Sequence, residues 1–308
     1  MLTVGMTPPG RFFSLGVEDR RTLLAEIADA GLDGLVYADH VSFRGGAGTD
    51  GLALMAALSQ LHPTLGLHLG VYLLPLRHPV PVARQIATIA ELAPGRLRFG
   101  VGIGGEDRHE IEACGVDPRT RGRRCDEALT VLRPLLRGEE VSFAGEFFDL
   151  DAVCILPAPD PAVPVVVGGR SDAAVRRAGR FGDGWLGTWC SARRFAEVVE
   201  RCDEVAAEVG RGPVAWQHGM QLWVGFDTDR ARAREHVRTA MEGFYRIPFD
   251  VFERYTPYGT PADVAEFFAP FVDAGLRHID LTPCAASDEV AIEGAAEVKR
   301  LLGAHLAR

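Results

Sequence analysis

Arg96–Gly105, with the sequence Arg-Leu-Arg-Phe-Gly-Val-Gly-Ile-Gly-Gly, is the stretch that decides the fold. It begins as an apolar strand and ends as nearly bare backbone, because Gly100, Gly102, Gly104 and Gly105 leave few side chains at its exit. A flat ring or a phosphate can therefore approach the main chain closely. The alternative is that the glycines only allow tight packing against neighbouring strands. In a parallel α/β protein, ligands bind at the carboxyl end of such a strand.

Short apolar strands and helices alternate on both sides of this stretch, with a repeat of roughly 35–40 residues. The segments with strand character are Leu2–Thr7, Gly34–Ala38, Leu65–Leu74, Arg96–Gly105, Val163–Val167, Trp185–Trp189, Ala215–Phe226 and His278–Thr282. The segments with helical periodicity are Val17–Ala30, Asp50–Leu61, Pro79–Leu92, Arg121–Leu136, Ser171–Phe181, Ala192–Val209, Asp229–Tyr245, Pro261–Ala274 and Asp288–Leu306.

This alternation predicts an α/β fold, one (β/α)8 TIM barrel that occupies residues 1–308 as a single domain. Two stretches interrupt the alternation: Val141–Pro161 after the fourth strand and helix, and Ile247–Tyr258 before the eighth strand. Both are expected to be insertions. Two doubly wound halves are the alternative, but no Gly-x-Gly-x-x-Gly follows the first strand.

The composition narrows the class of protein. The net charge of −9 argues against non-specific binding to nucleic acid. No apolar run reaches the roughly 18 residues of a membrane span, and Met1–Met6 lacks the basic start of a signal peptide. We therefore expect no membrane segment and a cytoplasmic location. Lys299 is the only lysine, so the body of the chain has none for a Schiff base.

Six cysteines are scattered without a Cys-x-x-Cys pair, which argues against a zinc site and against a disulfide framework. A catalytic thiol has no support in the sequence. No set of cysteine, histidine and aspartate residues at the strand ends has metal-ligand spacing, so no metal is expected. The small residues and acid/base groups at the strand ends instead suit a large planar organic cofactor.

Gly168-Gly169-Arg170-Ser171, after the fifth strand, is the strongest candidate for an anion site. The glycines open the backbone, and Ser171 can cap the following helix, whose N-terminus favours an anion. Arg170 adds a positive charge. The alternative is a plain Gly-Gly turn with a serine cap.

Asp39-His40 and Glu106 are the acid/base candidates, since they follow the second and the fourth strand. A histidine at a carboxyl strand end can act as a general acid or base near neutral pH. A lone histidine is nevertheless more often a hydrogen-bonded structural residue. Glu106 lies just beyond the glycine run, where it can either exchange a proton or face water.

Short blocks follow one another in a specific order and spacing: Gly34–His40, Leu74–Pro79, Pro94–Gly102 through Glu110–Gly115, Val163–Ser171 and Gly182–Trp185. Together they resemble the bacterial-luciferase-like family of flavin- or deazaflavin-dependent oxidoreductases. The family fold is a (β/α)8 barrel with insertions, in agreement with the alternation above.

The resemblance implies that a flavin-type ring lies at the barrel mouth against the third strand, where the family often has a non-prolyl cis peptide near Gly70-Val71. The residues expected on this basis to hold the cofactor ring, tail or phosphate are Asp39, Gly70, Val71, Gly102, Gly104, Gly105, Gly168, Gly169, Arg170, Gly187 and Thr188. The resemblance makes His40 the proton donor or acceptor at the substrate. It makes Glu106 the nearest match to a carboxylate that takes part in the deazaflavin branch.

The leading hypothesis is an oxidoreductase that uses the deazaflavin coenzyme F420 and transfers a hydride between C5 of its ring and a small organic substrate. The alternative is an FMN-dependent monooxygenase that takes reduced flavin from a partner reductase. A barrel that binds a cofactor without turnover is a third reading. Val41-Ser42-Phe43-Arg44 follows Asp39-His40 and departs from the sugar-phosphate-oxidising members, which have a tryptophan there.

The resemblance also suggests a homodimer, through the apolar faces of Asp50–Leu61 and Pro79–Leu92. The alternative is that these faces pack on the barrel. An apolar or cyclic substrate is expected if aromatic residues line the mouth. The segments considered for that lining are Phe12, Phe13, Phe43, Trp189 and Ile247–Tyr258.

Overall fold

The computed structural model describes residues 2–105 and 107–307. The barrel strands are β1 (Thr3–Met6), β2 (Gly34–Tyr37), β3 (Gly66–Leu69), β4 (Leu97–Gly102), β5 (Val165–Gly168), β6 (Gly184–Gly187), β7 (Gly219–Phe226) and β8 (His278–Cys284). They pair in parallel and in chain order. The ring closes where Thr3 of β1 lies opposite His278 of β8. The predicted (β/α)8 barrel is therefore confirmed.

Helices connect the strands and cover the outside of the barrel. They are α1 (Val17–Asp29), α2 (Gly51–Leu61), α3 (Pro79–Leu92), α4 (Arg108–Ala113), α5 (Arg121–Leu135), α6 (Asp172–Phe181), α7 (Ala192–Glu208), α8 (Arg230–Tyr245), α9 (Pro261–Asp273) and α10 (Asp288–Leu306). Between α5 and β5, Val141–Ala144 pairs with Asp149–Val153 as an antiparallel hairpin. Between α8 and α9, the short 3-10 turns Phe249–Val251 and Glu253–Tyr255 replace regular structure.

Two departures from the predicted elements lie next to the barrel mouth. The predicted third strand breaks after Leu69 and resumes at Tyr72–Leu73, with a cis peptide bond between Gly70 and Val71. The segment after β2 folds into a hairpin of His40–Phe43 against Ala47–Thr49. The cis peptide that the resemblance implied is thus confirmed.

The main core lies between the barrel and its helices. Part of the barrel interior, around Asp280, is polar instead. In β8, Ile279 and Leu281 are fully buried, and Asp280 between them points to the opposite side of the strand. A Cβ atom on Gly5 would lie 2.9 Å from Asp280 Oδ1 and 3.1 Å from His68 Nδ1. The missing side chain of Gly5 therefore leaves room for this polar pair.

The apolar face of α2 is covered within the chain. Leu52, Met55 and Leu58 are at most 1% exposed, and Leu54 is 9% exposed. These four side chains are covered within the chain and give no support to a homodimer, which stays a prediction, as does the part that Pro79–Leu92 would play in it. Within residues 2–105 and 107–307, the helices are all too short or too polar to cross a membrane.

Candidate active site

A cavity of about 520 Å³ opens at the carboxyl ends of the barrel strands. Its lining contains Asp39, His40, Gly70, Val71, Gly102, Gly104, Gly168, Gly169, Arg170, Gly187 and Thr188. These are all of the predicted site residues except Gly105 and Glu106. Gly105 is not part of the lining, and Glu106 lies outside the described residues.

The floor of this cavity is backbone packed around Val71. A Cβ atom on Gly168 would lie 2.8 Å from Val71 Cγ1, and one on Gly102 would overlap the other Val71 methyl group. The Gly70 N–H donates to Tyr37 O at 2.9 Å, and the Asp39 N–H donates to Val71 O at 3.2 Å. The glycines at the strand exits are therefore required for close packing as well as for a bare surface. Close packing, the alternative named for the glycine-rich stretch, is therefore present, while the approach of a ring or a phosphate stays a prediction.

Asp39 is buried and organises the loops behind this floor. Its carboxylate accepts two bonds from Arg77, at 2.6 and 2.8 Å, and one backbone N–H each from Gly51 and Leu73. Burial raises the pKa of Asp39, and the Arg77 guanidinium and the two N–H groups oppose that rise. Asp39 thus holds the start of α2 and the segment Tyr72–Leu73 together, a role that the sequence analysis did not foresee.

His40 has a buried carboxylate partner, and it is Glu110. His40 Nδ1 lies 3.2 Å from Glu110 Oε2 and 3.3 Å from Oε1. Glu110 Oε1 also accepts the N–H groups of Val41 and Ser42, at 2.7 and 3.2 Å. Because the carboxylate can only accept, Nδ1 carries the proton and Nε2 is left as the ring nitrogen available to a ligand.

Helix α4 brings Glu110 to this position. Asp107 caps the helix by accepting the His109 N–H at 2.9 Å, and it also accepts the Arg44 N–H at 2.6 Å. Both ends of the His40–Phe43 strand are thereby tied to α4. The sequence analysis did not connect Glu110 with His40, since the two residues are 70 positions apart.

The predicted anion site has the expected local structure. Ser171 caps α6, with its hydroxyl oxygen accepting the Ala174 N–H at 3.2 Å. Gly169 has a φ of 123°, a backbone conformation that residues with a side chain rarely adopt. Its carbonyl accepts the Trp185 indole N–H at 2.7 Å. The Arg170 guanidinium lies 5.5 Å from the centre of the Trp189 ring. The geometry suits a phosphate at the N-terminus of α6.

Aromatic side chains from α8 form the outer wall of the cavity. Phe244 stacks on Phe43 with ring centres 5.4 Å apart, and Tyr245 lies edge-on to Trp189 at 5.3 Å. Of the aromatic residues considered beforehand, Phe43 and Trp189 line the cavity. Phe12 and Phe13 instead pack against Tyr37, and the lining includes no residue of Ile247–Tyr258.

Three buried cysteine thiols are poorly suited to nucleophilic chemistry. Burial raises the pKa of the Cys125 and Cys202 thiols to about 12, as expected of cysteines that serve as small apolar residues. Cys190 is also buried, with its pKa raised to about 11 by desolvation. None of these thiols is set up as a nucleophile.

A polar cluster that the sequence analysis missed lies deep in the barrel. His68 Nδ1 and His278 Nε2 approach Asp280 Oδ1 to 3.1 and 2.7 Å, and possible ligand atoms of all three lie within 4.8 Å of one another. Burial by itself would raise the pKa of Asp280, but the two imidazoles hold it below its usual range. Burial lowers the pKa of His278 to about 4. The cluster joins one residue of β3 to two residues of β8. No local sequence pattern indicates that these residues meet.

A sequence profile described as luciferase-like monooxygenase matches residues 14–267. The chain belongs to the luciferase-like monooxygenase family. An F420-dependent glucose-6-phosphate dehydrogenase of Nakamurella multipartita is 29% identical to it over 248 residues, which are 76% of this chain and 73% of that protein.

Solved structures of the same fold superpose over almost the whole chain. An F420-dependent secondary alcohol dehydrogenase, in complex with an F420-acetone adduct, has a TM-score of 0.83 at 21% identity, covering 98% of this chain and 99% of that one. The oxygenating constituent of 3,6-diketocamphane monooxygenase from the CAM plasmid of Pseudomonas putida, in complex with FMN, has a TM-score of 0.76 at 16% identity, covering 99% and 98%. These two likenesses concern the fold alone.

As a luciferase-like protein, the chain is an enzyme. The carboxyl-end cavity is where its chemistry is expected, because ligands of (β/α)8 barrels bind at that face.

Proposed function

We propose that this luciferase-like protein is an F420-dependent oxidoreductase that transfers a hydride between the cofactor and a small organic substrate. The observation that carries the proposal is the bare floor around Val71, flanked by Gly102 and Gly168, in the same cavity as the His40–Glu110 pair. A planar ring needs such a surface, and hydride transfer to or from an alcohol or carbonyl needs a proton carrier beside it.

The residues present fit a cofactor of this size. A cavity of about 520 Å³ falls within the usual range for cofactor sites. Two buried polar atoms of its lining, the Tyr37 hydroxyl and the Trp189 indole N–H, have no hydrogen-bond partner among the described residues. Gly168, Gly169 and Arg170 would hold the phosphate, and the backbone at Gly70-Val71 would support the ring.

When bound, F420 supplies the carbon that accepts or donates the hydride. His40 takes up the proton of a substrate hydroxyl through Nε2 as the substrate is oxidised, and returns it in the reverse direction. Glu110 holds the His40 ring in the tautomer that leaves Nε2 free.

The proposal is tested by equilibrium binding of F420 and FMN to the purified apoprotein, measured side by side. We expect F420 to bind with micromolar affinity or better and FMN to bind weakly. Arg170→Met should weaken F420 binding by about tenfold through loss of a phosphate contact. Arg176→Met, which changes an exposed arginine on α6, the helix that follows Arg170, is the matched control and should leave the affinity unchanged.

Tight binding of FMN without binding of F420 would overturn the proposal. It would favour an FMN-dependent monooxygenase supplied by a partner reductase, an activity consistent with the family's description. Binding of a cofactor with an unchanged rate of turnover in His40→Ala would contradict the role assigned to His40.

A further inference from the structure

A second cavity, of about 570 Å³, opens beside the first one. It is lined by the loops after β1 and β8, by α8 and by the start of α10. Thr7, Trp223 and Thr282 line both cavities and form the boundary between them. The second cavity therefore adjoins the first one across these three residues.

The surface between His40 and this boundary is aromatic. The His40 ring centre lies 4.2 Å from that of Phe43, Phe43 stacks on Phe244, and Phe244 lies 5.7 Å from Trp223. Phe244 is 39% exposed although it lines the cavity. Apolar surface of this kind is best covered by an apolar ligand.

Cations for an anionic substrate are scarce. Arg170 is the only lysine or arginine among the described residues that line either cavity, and it lies at the proposed phosphate position of the cofactor. The second cavity instead carries the carboxylates of Glu235 and Asp288. These already bind the guanidinium groups of Arg238 and Arg11.

The positive end of the α10 helix dipole does not make up for the scarcity of cations, because side chains of the helix already occupy it. The Ser287 hydroxyl oxygen accepts the Val290 N–H at 3.3 Å, and Asp288 and Glu289 occupy the first turn. Carboxylates at these positions already complement the helix dipole. A phosphate bound there would therefore meet two negative side chains.

Several of the remaining polar groups carry no charge, and the imidazole of His236 in the second cavity already faces Asp227, with Nε2 3.4 Å from Oδ2. The hydroxyls of Thr7 and Thr282 lie 3.1 Å apart, and Gln221 adds an amide to the lining of the first cavity. Neutral groups of this kind suit the oxygen of an alcohol or a ketone, which can accept or donate one hydrogen bond without a counter-charge.

From these observations we propose that the substrate is an uncharged alcohol or ketone that carries an apolar ring, and that sugar phosphates are poor ligands of this site. The ring lies against Phe43 and Phe244, its oxygen faces His40 Nε2, and its far end points toward Trp223. This assignment rests on the proposed function, because it takes His40 as the proton carrier at the same site.

The test is calorimetric binding to the F420-loaded protein of α-tetralone, a neutral bicyclic ketone, of a ring-carboxylated tetralone and of glucose-6-phosphate. We expect the ketone to bind at least about tenfold more tightly than either anion, because burying an unpaired charge is costly. Equal or tighter binding of an anion overturns the assignment, and so does failure of the ketone to bind up to its solubility limit.

Variants of one wall residue sharpen the test. Phe244→Ala should weaken ketone binding about tenfold, and Phe244→Arg should move the preference toward the carboxylated tetralone. Phe13→Ala is the matched control, because Phe13 is 50% exposed and lies outside both linings. If Phe244→Ala and Phe13→Ala behave alike, the ring does not lie where we place it.

Failure of this inference can be told apart from failure of the proposed function. The same preparation is titrated with F420 alone, and the ketone is also titrated into the apoprotein. If F420 binds and the anions match the ketone, only the substrate class is wrong. If F420 does not bind while the ketone preference persists in the apoprotein, the proposed cofactor is wrong and the substrate class stands.

Discussion

Glu110 shows most directly how one side chain gives another its proposed role. It sits 3% exposed on a helix of six residues and accepts hydrogen bonds from both the His40 ring and the following backbone. Removing its charge without changing its shape separates the electrostatic contribution from the packing.

We therefore predict that Glu110→Gln lowers kcat by about 100-fold, in the range of general acid–base effects. The glutamine amide can donate to Nδ1 and shift His40 to the other tautomer. The measurement is turnover together with the ¹⁵N chemical shifts of the His40 ring. Glu112→Gln, which alters an exposed carboxylate of the same helix, should change neither. An unchanged tautomer in Glu110→Gln would show that Glu110 does not position His40.

The Arg77 guanidinium compensates the charge of the buried Asp39 carboxylate. Its guanidinium makes a two-point contact with a carboxylate that is 1% exposed. Loss of one partner from a buried ion pair leaves the other charge uncompensated.

Arg77→Met should accordingly lower the free energy of unfolding by about 3 kcal/mol, as measured by urea denaturation. The double variant Arg77→Met with Asp39→Asn should recover part of that loss, because no charge is then left buried. Asp39→Asn alone is measured as well. If the losses of the two single variants add up to the loss of the double variant, the two residues are not coupled as the structure indicates.

At the scale of elements, β4 and β5 are close-packed against the break in β3. Their exits approach Val71 so closely that neither Gly102 nor Gly168 has room for a methyl group. The glycines of the stretch Arg96–Gly105 are thus part of the barrel's packing as well as of the proposed cofactor surface.

Gly102→Ala should displace Val71 and the backbone on which the ring would rest. We expect at least about a tenfold loss in F420 affinity, with a small decrease in the unfolding midpoint. Gly303→Ala on α10, where nothing lies within 4 Å of the new methyl group, should keep the affinity of the parent protein. An unaltered affinity in Gly102→Ala would remove Val71 from the proposed binding surface.

At the scale of the whole molecule, buried neutral histidines make global stability depend on pH. His218 is 2% exposed, and its Nδ1 accepts the Trp185 N–H at 3.1 Å, which requires an unprotonated nitrogen. Burial lowers the pKa of His218 to about 4 from its usual 6.5. Between these values only the unfolded chain is protonated, so stability is fully present above about pH 6.5 and is lost as the pH falls toward about 4.

The free energy of unfolding should fall by about 2 kcal/mol between about pH 7.5 and about pH 5 through His218 alone. His218→Asn keeps an acceptor for the Trp185 N–H but does not titrate, so its unfolding energy should depend less on pH. His109→Asn, at an exposed position, should retain the slope of the parent protein. Parallel slopes for all three proteins in urea denaturation would contradict this account.

The barrel, its order of strands and the edge at which the cavity opens could all be predicted from the sequence. Those features follow from local periodicity and from glycine and serine chemistry at strand ends, which act over a few neighbouring residues. Asp39-His40, Gly102 and Gly168-Gly169-Arg170 were found in this way, and all of them line the cavity.

The side chains that complete the candidate site became evident only in the folded barrel. The pairing of His40 with Glu110, the bonds of Arg77 to Asp39 and the wall that Phe244 forms join segments far apart in the chain. The same holds for the cluster of His68, His278 and Asp280. Such contacts depend on how the closed ring of strands brings distant loops together. The local spacing of residues in the sequence does not show which of these loops meet.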